Sequence, residues 1–303
     1  MLNTQQRPVI LDFDRSVLAV SEAELRLELS GWQEDIRFGC SWNDYARLKD
    51  YLAGLLPEPR GPVFLGSGDY HHLTLLLLQD LEKRLKLAPA SLDLVAADNH
   101  PDNMRYLFGL HCGSWIRHAA ALACIRHIHV IGITSRDISL KQAWANYLGP
   151  FRKKKLTCWS VSSRADWLKL IGRGEQARCF ASADDLLAAF LPVLRASARQ
   201  TEGIYLSLDK DVLSAQVARS NWDQGVFELR HLEELIAECA GRLQGADLCG
   251  DVSAYAFTGL GKRLLLRLEG QPEIAAENMP REQEIHREVN KKLLAALIRC
   301  STT

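Results

Sequence analysis

The sequence predicts a three-layer α/β domain built on a doubly wound parallel sheet of about eight strands. Three observations lead there. Short apolar runs recur from end to end of the chain. Most lack polar alternation, as expected of strands covered on both faces. Helical patterns fill several of the gaps between them, the alternation that builds parallel βα units. The 303 residues show no internal repeat, low-complexity tract or linker, so a single domain over 1–303 is expected.

Taken in order, the predicted strands are "PVILDFD" (8–14), "PVFLG" (62–66), "LDLVAAD" (92–98), "IHVIGIT" (128–134), "LTCWSV" (156–161), "RCFA" (178–181), "GIYLSLD" (203–209) and "DLCGDV" (247–252). A helix follows at "SADDLLAAFLPVLRA", with Ser182 as N-cap and Asp185 three residues on, close to a capping box. "FELRHLEELIAECAGRL" and the terminal "REQEIHREVNKKLLAALIRC" place apolar residues at helical spacing. The stretch 210–227 reads as a loop.

Composition narrows the function. The chain is 47% hydrophobic with a formal net charge of zero, which allows a sizeable core and provides no basic footprint for nucleic acid. Its densest basic run, Arg152 to Lys155, reads as a solvated loop. The eight cysteines are scattered without a C-x-x-C pair, and Cys124, Cys158, Cys179 and Cys249 fall in apolar runs. That is the habit of buried reduced thiols rather than of a disulfide framework or a structural zinc site. The N-terminus shows no signal pattern and no apolar stretch reaches the ~18 residues of a membrane helix, so a cytoplasmic protein acting on a small molecule, without a membrane, is expected.

The chemistry gathers at strand ends. "GSGDYHH" (66–72) follows an apolar run and places a carboxylate and two imidazoles in a turn. "VAADNHPDN" holds Asp98, His100 and Asp102 at a spacing of two, and in extended backbone alternate residues face one way. "YLSLDKDVL" sets Asp209 and Asp211 likewise at the end of another strand. Carboxylates this close repel unless a proton or cation sits between them, and open α/β sheets form their sites at the carboxyl ends of strands. Imidazole and carboxylate donors suit Mn²⁺ or a similar divalent ion. The set is larger than one ion needs, and two ions about 3.5–4 Å apart would use it all.

At these residues the sequence resembles the ureohydrolase (arginase/agmatinase) family. Its signatures, roughly G-G-D-H-S, D-A-H-x-D and S-x-D-x-D, appear in order as "SGDYHH", "DNHPD" and "SLDKD"; "GSWIRHAA" (113–120) and "VIGIT" (130–134) also match. The resemblance implies an arginase/deacetylase-like fold and two manganese ions. His71, Asp98, Asp102 and Asp209 would hold one, and Asp98, His100, Asp209 and Asp211 the other, with Asp98 and Asp209 bridging. His72 is the alternative to His71, because a tyrosine intrudes in the first signature. Asp69 would orient the histidine ligand. The resemblance further implies hydrolysis of a C–N bond in a guanidino or amidino small molecule by metal-activated water. His111 would relay a proton, although Cys112 occupies the position just before the glycine where the family has its histidine. A homo-oligomer is implied as well.

The departures cluster around the substrate. The family's D-P after the third signature is replaced by "SAQVARSNWDQG", whose Asn221 and Asp223 are expected to contact substrate. Its late Glu-Val-Asn-Pro strand end is replaced by "CGDVSA", leaving Asp251 as the acid placed to pair with a guanidinium. Two other functions stay in view: a deacetylase-like amide hydrolase with a single Asp-x-His plus Asp zinc site, and a non-catalytic relative that keeps the metals. "VILDFDRSVL" also resembles the first motif of haloacid-dehalogenase-type phosphatases, with Asp12 as nucleophile and Asp14 as acid/base, but that reading leaves 98–102 and 207–211 unexplained. His118, His127, His129, His231 and His286 read as structural or surface residues.

Overall fold

The computed structural model describes residues 7–58, 60–162, 165–269 and 274–300. Its strands are β1 (Val9–Asp12), β2 (Leu25–Glu28), β3 (Gly39–Cys40), β4 (Val63–Gly66), β5 (Leu92–Ala97), β6 (Leu110–His111), β7 (Ile125–Ile133), β8 (Leu156–Val161), β9 (Ala177–Phe180), β10 (Gly203–Asp209) and β11 (Leu243–Cys249). Nine of them form one sheet in the order β2-β1-β4-β11-β10-β5-β7-β8-β9. All its pairings are parallel. β3 and β6 make a small antiparallel pair.

The sheet therefore has nine strands rather than the expected eight. The addition is β2, "LRLE", which lies at the edge and is only partly buried. An edge strand covered on few sides needs no apolar run, so it carries no run to be noticed. The inner strands β1, β4, β5, β8 and β10 are buried at every position, as the unbroken apolar runs require.

Helices cover both faces. Thr74–Leu85 packs its leucines into one core, with Leu94, Trp115 and Ile128. Ala183–Ser197, Leu229–Glu238 and Met279–Cys300 enclose the other, around Phe190, Leu206 and Leu248. Ser182 caps its helix as expected: its Oγ accepts the Asp185 N–H at 3.1 Å. The helix expected from 227 is shorter, Leu229–Glu238, because the chain turns at Gly241 (φ +71) to start β11. No helix among the described residues is long and apolar enough to cross a membrane.

Candidate metal centre

β4, β11, β10 and β5 are neighbours in the middle of the sheet, and the turns leaving their carboxyl ends share one small space. β10 and β5 run in register, Leu208 beside Ala97, so Asp209 and Asp98 follow at the same level. After β4 the chain winds through a short 3-10 helix, Gly68–Leu73, with Ser67 Oγ accepting the Asp69 N–H at 3.3 Å. This winding delivers His71 to the carboxylates. A Cβ on Gly68 would lie 3.0 Å from Asp209 Oδ2, so glycine lets the turn come this close.

His71 Nδ1 lies 3.1 Å from Asp102 Oδ2, 3.2 Å from Asp98 Oδ2 and 3.5 Å from Asp209 Oδ2. His72 is fully buried, and neither of its ring nitrogens pairs with a carboxylate. Burial, then the neighbouring His111, Lys262 and His71, hold it neutral. Of the two histidines, His71 is the one the structure brings to the cluster. Its other nitrogen, Nε2, meets Ser207 Oγ at 2.9 Å, and Ser207 donates to Asp247 at 2.7 Å. Asp69 is engaged elsewhere, by Arg37 Nε at 2.7 Å and Trp222 Nε1 at 3.1 Å. The orienting partner is thus Ser207 and not Asp69.

A second group adjoins the first. His100 Nδ1 lies 2.8 Å from Asp211 Oδ2 and 3.7 Å from Asp98 Oδ1. Asp98 presents one oxygen to each histidine. The sets His71–Asp98–Asp102 and Asp98–His100–Asp211 each have the spacing to hold a metal ion. The donors do not converge by extended alternation. Asp102 sits at φ +45 in a turn, fixed by Trp115 Nε1, which donates to its Oδ2 at 2.7 Å. Asp211 lies one residue into a 3-10 turn after β10, its N–H donating to Asp209 Oδ1 at 2.9 Å.

The electrostatics favour a cation. Burial and then the charge of Asp98 push Asp102 up to about 7. Burial, then Asp209 and Asp98, raise Asp211 well above the ordinary carboxylate range. Burial raises Asp209, with Asp98 adding to it against His71. Asp98 alone is held low, because hydrogen bonds from His100 and His71 outweigh its burial. No lysine or arginine among the described residues forms an ion pair with any of these four carboxylates within 4 Å. Four buried carboxylates and two imidazoles make a donor set that fits divalent ions.

Above this floor opens a cavity of about 590 Å³ whose wall includes His111 and Trp222. Burial lowers His111 to about 4, so it is neutral near pH 7. Its Nδ1 accepts the Gly113 N–H at 3.1 Å, which leaves the ring proton on Nε2. Asp223 reaches the site through His100 Nε2, at 2.8 Å. Asn221 does not line the cavity: its Oδ1 accepts the Ser253 N–H at 3.0 Å.

The expectation for Asp251 is not met. β11 ends at Cys249, and Gly250 at φ +87 turns the chain. A Cβ there would lie 2.5 Å from Asp209 Oδ1. Asp251 swings into the protein, where Lys210 Nζ lies 2.7 Å from its Oδ2 and Asn290 Nδ2 donates to its Oδ1 at 2.9 Å. Its carboxylate is buried and occupied, and it does not line the cavity. Asp12 and Asp14, the acids of the phosphatase-like motif, are likewise tied into structure, by Arg26 at 2.7 Å and Ser253 Oγ at 2.6 Å.

Sequence reasoning missed Ser207, Trp222 and Cys249. Cys249 Sγ lies 3.1 Å from Asp209 Oδ2, in a third group with His71 and Asp209. The signal for it was register: β10 and β11 place Asp209 beside Cys249. Trp222 stands within the "NWDQG" stretch already singled out, between the two residues chosen.

No family model matches the sequence. The structure is similar along nearly its whole length to solved hydrolases. Formimidoylglutamase from Bacillus subtilis superposes with a TM-score of 0.57 at 13% identity, covering 98% of this chain and 88% of that one. Agmatine ureohydrolase of Thermoplasma volcanium gives 0.54 at 14% identity, over 98% and 91%. The fold is that of the arginase and ureohydrolase family. Proclavaminate amidino hydrolase from Streptomyces clavuligerus, at 0.53 and 16% identity over 97% and 92%, shares it. In sequence, an uncharacterized protein of Thermotoga maritima is 26% identical over 207 residues, 68% of this chain and 64% of that protein, so the match spans less than two thirds of the relative.

Proposed function

We propose that this ureohydrolase-like protein is a binuclear metal-dependent hydrolase that cleaves a C–N bond in a guanidino or amidino small molecule. One observation carries the reading: four buried carboxylates and two imidazoles, without lysine or arginine among them in the described residues, form the floor of a cavity at the carboxyl ends of central strands. His71, Asp98, Asp102 and Asp209 would hold one ion, and Asp98, His100, Asp209 and Asp211 the other. Manganese or a similar divalent ion would supply Lewis-acid chemistry there, activating water toward an electrophilic carbon.

The protein's own groups do the rest. Ser207 fixes His71, Trp115 fixes Asp102, and Asp223 fixes His100; such partners keep donors aimed before a ligand arrives. His111, neutral and carrying its proton on Nε2, offers a hydrogen bond to a leaving amine at the cavity wall. His71 and Asp102 favour this reading over a one-ion amide hydrolase, because both add donors that a single Asp-x-His plus Asp site does not use. Elemental analysis of the purified protein, paired with a urea, ammonia and amine release screen after manganese or cobalt reconstitution, tests it. About two ions per chain and release of amine from a guanidine or amidine are expected. Tight metal binding with no turnover across guanidines, amidines and amides would make the protein a non-catalytic relative.

A further inference from the structure

The cavity wall above the metal floor says what kind of molecule fits. Its acidic residues are Asp98, Asp102, Asp137, Asp209 and Asp211, and no lysine or arginine among the described residues lines it. The nearby Arg105 spends its Nε on the Asn146 carbonyl at 3.2 Å. If two divalent ions balance the four floor carboxylates, Asp137 still leaves the wall negative. A ligand carboxylate entering here would lose water, find no lysine or arginine to pair with, and face the like charge of Asp137.

Apolar side chains share the rest of the wall with the amides of Asn103, Gln142 and Asn146. Pro101, Met104, Trp144 and Trp222 face the same space. Trp144 is 74% exposed, and Leu107 and Phe108, in the loop that follows the wall residue Met104, are 89% and 79% exposed. An aromatic row runs outward from the wall: the His111 and Tyr106 rings lie 5.0 Å apart, and those of Tyr106 and Phe108 5.9 Å. Large apolar side chains left open to solvent in one neighbourhood mark a binding surface, and aromatic faces attract organic cations.

We propose that the substrate is a carboxylate-free organic cation with an apolar tail, an aryl- or alkyl-substituted guanidine or amidine, and not an amino acid. The tail lies along Met104 and Trp144 while the cationic head reaches the carboxylate floor. This specificity rests on the hydrolytic reading of the site, but the binding it describes can be measured separately.

The test uses the full-length, metal-reconstituted protein and four probes: phenylbutylguanidine, methylguanidine, arginine and guanidinobutanoate. Binding is followed by quenching of tryptophan fluorescence and by calorimetry, and turnover by amine release. Phenylbutylguanidine is expected to bind and to turn over at least ~10-fold better than arginine or guanidinobutanoate, since apolar contacts and a mismatched charge each discriminate by about that factor or more. Trp144→Ala is expected to shrink the advantage of phenylbutylguanidine over methylguanidine by a factor of several. Equal or better use of either carboxylated probe overturns the inference and leaves the hydrolase reading standing. Preferential binding of phenylbutylguanidine with no turnover of any probe supports the ligand class and removes the hydrolytic reading. Failure of phenylbutylguanidine to bind overturns the ligand class.

Discussion

Asp251→Asn distinguishes a substrate-binding acid from a structural one. Lys210 and Asp251 are both fully buried, 2.7 Å apart, and Asn290 completes the cluster by accepting from Lys210 Nζ at 2.6 Å. Lys210 stands between Asp209 and Asp211, so the pair anchors the backbone of this carboxylate-bearing turn to the terminal helix. Removing the negative partner leaves a buried ammonium without its counter-ion, which costs about 3–5 kcal/mol. Against a typical domain stability of ~5–15 kcal/mol, that is a large fraction, and it should lower Tm by on the order of 10 °C. Urea and thermal unfolding followed by circular dichroism, with metal content measured in parallel, provide the assay. Combining Asp251→Leu with Lys210→Met removes both charges and should recover most of the loss, since apolar replacement of a buried pair is often neutral or better. A variant Asp251→Asn as stable as the parent would refute the argument. If it also lost affinity for a guanidinium, Asp251 would return to the pocket.

Other outcomes follow from the same geometry. Asp209→Ala should strip both ions, because Asp209 stands in the proposed ligand set of each; elemental analysis showing full occupancy would rule out bridging. His71→Ala should deplete metal while His72→Ala leaves it in place at some cost to packing, and the reverse pattern would move the ligand by one residue. Cys249 is expected to act as an S–H donor to Asp209, so Cys249→Ser should keep metal content and the cobalt-loaded parent should show no thiolate-to-cobalt charge-transfer band in the near ultraviolet; such a band would make the thiol a ligand. For pH, burial and Lys210 lower His286 to about 4 in the folded protein, whereas the unfolded side chain titrates near ~6.5. As pH falls below that value the unfolded chain binds a proton that the native one refuses. The contribution is therefore intact above pH ~6.5 and drains away toward pH 4, by about 3 kcal/mol. His286→Gln should flatten the urea-measured stability over that window relative to the parent, and an unchanged slope would show that His286 is not buried neutral.

Much of the fold is legible in the sequence because the inner strands are covered on both faces and must be apolar throughout. β2 escaped because an edge strand of four partly buried residues needs no such run. The donors were legible for a related reason: Asp98, His100, Asp102, Asp209 and Asp211 are too dense at strand ends to be casual surface polarity. How they converge was not legible. Alternation in extended backbone suggested a shared face, but the chain uses a left-handed Asp102 and a 3-10 turn at Asp211. Ser207 and Cys249 depend on which strands lie side by side, and β10 takes its neighbours from residues about 110 earlier and 40 later in the chain.

Asp251 shows how a short-range pattern misleads about a site. From the sequence, an acid at the end of a strand expected over 247–252, at the rim of the carboxylate cluster, faces the cavity. In the fold, Gly250 reverses the chain first, and its missing side chain makes room for Asp209 and the Lys210 backbone. The acid that would meet a guanidinium is thereby turned inward to neutralise Lys210. Charge on the wall must then come from elsewhere, and Asp137 supplies it from a loop with no motif of its own. The carboxylate floor and the wall obey different constraints. The floor is set by adjacent strands in register, so its donors cannot drift without losing the cluster. The wall is built from turns and the exposed loop around Trp144, where a side chain can change without disturbing the sheet. The departures at "SAQVARSNWDQG" and, after Cys249, in "CGDVSA" likewise fall in turns outside the strands, where they leave the floor's donors in place.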